Sequence, residues 1–462
     1  MLLTSFMTFL VLTSLKLNSM MGWNMMMNRL SMMTMSYMLM LTMMSMDMMS
    51  LMPGYTLYNN WFSLTSLNMP FMMMMLLLMM GLLIYNTGNN KYDMNRPYLT
   101  LMMLANLMGL LLFPLVNDLL ALYVMMELQS YSLYLLTGLN NRSFNASRAS
   151  LLYFLMGGVA SAMMLLALYF MYLTTGSTNM TDMMMYNEML SMSYNTSYMF
   201  NNFDMLVMAL LFKMGLAPLH RWSIAVYNYA PTYMTAYMSM VAKLSMMAWL
   251  YSNNMLYSNY MLIMFFYMSL FMGAYKPLFQ INMKTMLAYS GMLNFGYILL
   301  SLMSNDISLY IYILQYVLTH MMMFLIMLAS SEYMNNPMSK WSPTLYMHQL
   351  KLPNLTLAFS LIMALFSLMG MPPLPGFYAK LSILSGALSD NLILESLILI
   401  MCSVIATYYY ANIIKLTMQS KTMMGQTMNP TLAYIIASCT LLLLSFFMFL
   451  PYISEGLYLI MM

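Results

Sequence analysis

The chain is a succession of long apolar runs separated by short polar connections. Runs long enough to cross a roughly 30 Å hydrocarbon core fall at 2–15, 31–50, 69–86, 98–114, 119–139, 150–173 and 203–229. A second set falls at 232–251, 259–275, 281–302, 307–330, 353–389, 392–416 and 431–450. Only the connections 176–202 and 331–351 are long enough for surface structure, so no soluble domain is expected. The pattern predicts an all-α integral membrane fold of fourteen transmembrane helices. The opening run MLLTSFMTFLVLTSL lacks a basic stretch and a small-residue cleavage site, and is expected to be the first of these helices.

Two of the runs are long and interrupted. In FKMGLAPLHRW, Gly215 and Pro218 follow Lys213; in SLMGMPPLPGFYAK, Gly370, Pro372, Pro373, Pro375 and Gly376 precede Lys380. Proline removes a helical hydrogen bond, and broken helices inside a membrane are tolerated where protein or a water-lined cavity satisfies the freed groups. Matching broken helices in two halves of a chain point to a transporter's ion site. These are spans seven and twelve, five apart. The expected organisation is therefore N-terminal helices over 1–97, a first repeat over 98–251, a second over 259–416 and a final helix at 431–450. An odd number of spans per repeat makes the two copies inverted.

Composition narrows the class. The chain is 62% apolar and 6% charged, with a mean hydropathy of +0.72, against roughly 25% charged residues in soluble domains. Lipid is therefore the main solvent. A net charge of +4 is too small and too dispersed to suggest nucleic acid, and none is expected as a partner. Cys402 and Cys439 stand alone in apolar runs, without metal or disulfide spacing, and no phosphate or dinucleotide loop is present. No cofactor is expected in this chain, and its driving energy is expected from outside it. The 77 methionines follow no spacing and fit the codon usage of an AT-rich organellar genome.

Charge tests the span count independently. Fourteen spans place both termini and every even-numbered loop on one side, which collects Asp47, Asp118, Asp182, Glu188, Asp204, Asp306, Asp390, Glu395 and Glu455 and no Lys or Arg. The other side collects Lys16, Arg29, Lys91, Arg96, Arg142, Arg148, Arg221, Lys276, Lys284, Lys340, Lys351, Lys415 and Lys421, joined only by Asp93 and Glu332. One miscounted helix would scramble this sorting. The basic side is expected to be cytoplasmic or, in an organelle, to face the matrix.

Four charged residues fall inside spans. At 1.5 Å per residue, Glu127 lies about 13 Å beyond Asp118 and Lys213 a similar distance beyond Asp204. Lys243 lies about 18 Å from Pro231, and Lys380 about 15 Å from Asp390. His320, between Asp306 and Glu332, falls near the same middle depth. Each central charge costs about 2.5–3.5 kcal/mol on the most lenient scale, so four cost roughly 10–14 kcal/mol before pairing or water offsets any of it. A Glu127–Lys213 ion pair that only locks helices together accounts for two of them and leaves Lys243 and Lys380 without acidic partners. Ionisable groups at one depth are what a proton path requires. His320 is either a satisfied core residue or a member of that path. Lys284 either snorkels to the basic surface or extends the path.

The segments ALYVMMELQSYSLYLLTGLN, LLFKMGLAPLHRWSIAVYNYAPTYMTAYMSMVAKLS, NMKTMLAYSGMLNFGYILL and MGMPPLPGFYAKLSIL resemble the antiporter-like membrane subunits of respiratory complex I. The resemblance covers residues 100–420; the first hundred residues match only as apolar helices. It implies a proton-translocating subunit of a fungal mitochondrial inner membrane, with redox chemistry in other subunits. It also implies a hydrated mid-membrane axis at Glu127, Lys213, Lys243 and Lys380. Glu127 would tune Lys213, Lys243 would be the central relay, and Lys380 the link towards an exit or an adjacent subunit. His320 stands in a span where sibling subunits carry an axis histidine. Lys380 stands where one sibling usually carries Glu, and the lateral C-terminal helix of the longest sibling has no counterpart here. Implied partners are the other membrane-arm subunits, antiporter-like siblings and supernumerary subunits among them, and lipids such as cardiolipin. A stand-alone or Mrp-type cation/proton antiporter and a purely structural spacer are the alternative readings.

Overall fold

A computed structural model describes residues 2–14, 23–49, 55–89, 96–139, 143–185, 202–333, 346–350, 352, 354–418 and 428–461. Its helices in chain order are α1 (Leu2–Ser14), α2 (Trp23–Met49), α3 (Met69–Asn89), α4 (Arg96–Leu112), α5 (Leu119–Gly138) and α6 (Phe144–Thr175). There follow α7 (Asn202–Met214), α8 (Arg221–Tyr229), α9 (Thr232–Ser252), α10 (Asn259–Tyr275), α11 (Met283–Ser304) and α12 (Ser308–Ala329). The last are α13 (Leu355–Met369), α14 (Pro375–Ser389), α15 (Ile393–Met418) and α16 (Pro430–Met461). Among the described residues, nine helical stretches are long and apolar enough to cross a membrane.

The two expected interruptions are breaks between α7 and α8 and between α13 and α14. Gly215 at φ 71° and Gly370 at φ 87° stop α7 and α13 in the left-handed conformation that suits glycine. Helix starts follow equally local chemistry. Asp118 caps α5 by accepting from the Leu120 amide at 2.8 Å, Ser143 caps α6 and Asn354 caps α13, each satisfying an orphan amide of a first turn.

Three boundaries depart from the hydropathy pattern. α2 begins at Trp23 rather than 31, because Asn24, Asn28 and Arg29 lower mean hydropathy without breaking a helix. α6 extends at both ends to Phe144 and Thr175. α16 runs through Pro451, whose carbonyl accepts from the Ser454 hydroxyl at 2.8 Å; a proline removes one backbone donor without ending a well-supported helix. The expectation of a wholly helical fold also needs correction. Strands β1 (Thr56–Leu57) and β2 (Phe62–Ser63) form a small antiparallel hairpin. Its turn holds Tyr58, Asn59 and Asn60 at positive φ, a conformation asparagine tolerates. The Trp61 carbonyl accepts from the Asn117 amide at 2.9 Å, tying the hairpin to the start of α5. Of the loop charges sorted above, Lys16, Lys91, Asp93, Arg142, Glu188, Lys340, Lys351 and Lys421 lie outside the described residues.

The chain divides into two compact units. The first comprises Met1–Leu83, Asn90–Trp222 and Val241–Met264. In it α5 packs between α4 and α6, and α6 against α7. The second comprises Ile84–Asn89, Ser223–Met240 and Phe265–Met462. Its centre is α11 and α12, 89% and 83% of whose apolar windows are buried, against 33% for α15 and for α16. At Gly273 of α10 an added Cβ would lie 2.7 Å from the Leu293 amide nitrogen of α11, so only glycine permits that approach.

Asp306, in the turn between α11 and α12, lies directly against Gly386 of α14. Partial burial, and secondarily repulsion from Asp390, hold its carboxyl above the usual carboxylate range. A raised folded-state value means that ionised Asp306 penalises the fold. That penalty is complete above the folded value and fades as pH falls through it towards the unfolded one, about 4. Asp306→Asn is therefore expected to raise the thermal midpoint of the detergent-solubilised protein at about pH 7 and to lose that advantage near about pH 3. Equal midpoints for variant and parent at both pH values would refute the assignment.

Candidate functional site

In the first unit the acidic cap of α5 fixes the phase of that helix and carries Glu127 into its middle. On α7, Asp204 occupies the first turn and Lys213 the last, where the helix dipole favours a cation. The Lys213 ammonium meets the Glu127 carboxylate at 3.3 Å, with side chains only 6% and 13% exposed. The Ser130 hydroxyl lies 3.4 Å from the second carboxylate oxygen and 3.0 Å from the Glu127 carbonyl. The ion pair foreseen from depth alone is thus formed.

Lys243 is buried on α9. It is flanked by a polar stitch. Gln129, two residues beyond Glu127, donates to the Ala242 carbonyl at 3.0 Å and to the Ser245 hydroxyl at 2.9 Å. Asn106 of α4 donates to the Gln129 carbonyl at 2.7 Å and to the Ser132 hydroxyl at 2.8 Å. Three helices are therefore pinned around the turn that carries Lys243.

The second unit answers its cations with backbone. A helix end leaves four carbonyls without helical partners. At the end of α13 the Phe366 carbonyl accepts from the Gly370 and Met371 amides, and the Ser367 carbonyl from Gly370. The remaining two, Leu368 and Met369, accept from the Lys380 ammonium at 2.7 and 3.1 Å. Lys380 also stands over the Tyr297 ring, 5.4 Å from its centroid. Lys284 follows the same logic. It is buried rather than snorkelling, and its ammonium donates at 2.7 Å to the Ala230 carbonyl just past α8. His320 is buried on α12 with its ring 4.1 Å from that of Tyr316.

Of the residues singled out from the sequence, the structure pairs Glu127 with Lys213 directly, sets Lys380 and Lys284 on backbone carbonyls, and buries Lys243 and His320. Sequence reasoning missed the acceptors of Lys380 and Lys284, which are carbonyls and carry no residue-type signal. It also missed Gln129, Asn106 and a second polar group at Asn294, Tyr297, Tyr312, Tyr409 and Tyr410. The spacing of Ser290, Asn294, Tyr297 and Ser301, three or four residues apart on α11, was the available clue. Cys402 and Cys439 are buried and free. Among the described residues no three His, Cys, Asp or Glu gather into a metal site.

A helical membrane protein with paired broken helices and buried lysines, Lys213 answered by a carboxylate and Lys284 and Lys380 by carbonyls, has the build of an antiporter-like subunit. Residues 116–407 match the family described as NADH:quinone oxidoreductase/Mrp antiporter, transmembrane, and the chain belongs to that family. It is 61% identical over 455 residues to NADH-ubiquinone oxidoreductase chain 2 of Debaryomyces hansenii, covering 98% of this chain and 100% of that one. Its fold is similar to a chain of respiratory complex I from Thermus thermophilus, with a TM-score of 0.79 at 21% identity over 99% of this chain and 98% of that one. It is equally similar to a chain of the Mrp complex from Dietzia sp. DQ12-45-1b, with a TM-score of 0.79 at 16% identity over 99% and 94%.

Removing one partner of a buried ion pair strands the other, at a cost of about 3–5 kcal/mol. Glu127→Leu is expected to lower the thermal midpoint of the solubilised assembly sharply, and adding Lys213→Met to recover most of the loss. A double-mutant cycle of thermal midpoints measures this coupling, and strict additivity of the two losses would show that the pair contributes nothing.

Proposed function

We propose that this chain is a proton-translocating membrane-arm subunit of respiratory complex I in the mitochondrial inner membrane. It would couple NADH:ubiquinone electron transfer in other subunits to proton movement. The observation that carries the reading is the buried Glu127–Lys213 pair in a chain related over its full length to a complex I chain 2. Lys213, tuned by Glu127, would load a proton; Lys243 would be the relay; Lys380 would pass it onward, with Lys284 and His320 as further members. No redox centre or cofactor is assigned to this chain. Fourteen spans, with inverted repeats at 98–251 and 259–416, place the basic loops on the matrix side and both termini on the intermembrane-space side. Its partners would be the other membrane-arm subunits, antiporter-like siblings, supernumerary subunits and lipids such as cardiolipin.

The likeness to a Mrp complex chain favours one second reading, a cation/proton antiporter on the same scaffold. Purification separates the two: a chain that is stable alone and exchanges Na⁺ across proteoliposomes supports the antiporter. Lys243→Met in the assembled complex is expected to reduce the proton-to-electron ratio in reconstituted vesicles while the complex still assembles. A full ratio in that variant refutes the relay.

A further inference from the structure

In the first unit the hairpin and the opening turns of α5 frame an open groove of about 580 Å³. The hairpin contributes Tyr58, Asn59, Trp61 and Phe62 to its lining, and α5 contributes Ala121, Val124 and Met125. The rings of Tyr58 and Phe62 meet edge to face, 6.4 Å apart at 79°. Phe62 is buried, whereas Tyr58 is 78% and Trp61 47% exposed.

The backbone holds Tyr58 at φ 53°, followed by Asn59 and Asn60 at positive φ. Asparagine tolerates that conformation and a bulky aromatic residue does not. Glycine would serve the turn better. The turn therefore keeps a strained tyrosine, with its ring in the open, at the lip of an apolar groove. Strain of this kind persists at ligand clamps, where the surrounding structure holds it in place.

The surroundings define what the groove can take. It lies at the capped end of α5, where the chain enters the membrane and where amphipathic aromatic rings collect. Its α5 side runs on into an outward stripe of Leu120, Val124, Leu128, Tyr131 and Leu135, each between 39% and 58% exposed. These residues, three or four apart, rise about 22 Å from the headgroup level into the hydrocarbon. An aromatic corner above a long apolar track fits a lipid with its headgroup at the hairpin and a chain along α5.

Charge selects the headgroup. The segments that meet around the groove, 55–69, 113–126 and 176–185, carry Asp118 and Asp182 and no Lys or Arg. The Asp118 carboxylate is already engaged by the Leu120 amide at 2.8 Å and the Thr178 hydroxyl at 2.9 Å, so it supplies a negative field rather than a contact. A net anionic headgroup meets no countercharge there. A primary ammonium brings three N–H donors that need acceptors, and the lining offers ring faces and the single side-chain amide of Asn59. A quaternary ammonium has no N–H to satisfy and is attracted by aromatic faces.

We propose that this groove binds phosphatidylcholine. Its choline ammonium packs on the Tyr58 and Trp61 rings, the Asn59 amide donates to its phosphate, and one acyl chain passes Val124 along the outward face of α5. Such a site needs only the membrane-spanning fold and is independent of whether protons or Na⁺ cross the chain.

Photoactivatable phosphatidylcholine with a diazirine in its acyl chain, placed with the assembled complex in nanodiscs, tests the site. Crosslinked lipid is expected on the part of α5 that holds residues 119–135, severalfold above a matched phosphatidylethanolamine probe and a matched cardiolipin probe. Trp61→Leu is expected to lower the choline-lipid adduct severalfold, and Trp61→Phe, which keeps a ring, to retain most of it. Tyr58→Gly relieves the backbone, so the complex is expected to assemble while the adduct falls; it carries the measurement if Trp61→Leu does not assemble. Equal labelling of the parent complex by the three lipids overturns the assignment, and so does unchanged labelling in Trp61→Leu and Tyr58→Gly. Cryo-electron microscopy density for a protein chain in the groove, in place of a lipid, also overturns it.

Discussion

An ammonium ion inside an apolar helical bundle must be answered by negative charge, whole or partial, and this constraint organises the structure. An isolated charge at low dielectric costs several kcal/mol even after relaxation. The protein answers in two ways. In the first unit, a full carboxylate on α5 faces Lys213. In the second, backbone carbonyls face Lys380 at the end of α13 and Lys284 just past the end of α8. The break between α13 and α14 is therefore more than a tolerated effect of proline. It creates a helix C-terminus beside Lys380, where the macrodipole supplies roughly half a negative charge.

The same constraint explains which features were legible in the sequence. Spans are visible because lipid demands long apolar runs, and breaks because Gly370 and Gly215 must adopt positive φ where a helix stops. Glu127 and Lys213 were visible as a pair because each sits nine residues beyond an acidic helix start, one a cap and the other in a first turn. The partner of Lys380 was not visible. It is the backbone of Leu368 and Met369, twelve and eleven residues earlier, and only the path of the chain through Pro372 and Pro373 returns the ammonium to them. The Gln129 stitch was hidden for a related reason. A glutamine in an apolar helix carries no signal of which of its neighbours' carbonyls it will reach. The hairpin at 56–63 was hidden because two-residue strands have too little periodicity to detect.

Compensation also decides what each cation can do. A proton leaving Lys213 would strand Glu127 as a buried anion without its partner, so the two groups act as a unit. A proton leaving Lys380 strands no full charge. The carbonyls of Leu368 and Met369 remain the end of an intact helix, and the Tyr297 ring below remains an aromatic surface. Both charge states of Lys380 are therefore compatible with the same backbone. The surroundings differ accordingly: the pair in the first unit is closed by Ser130, while Lys380 lies between helix-end carbonyls and an aromatic face.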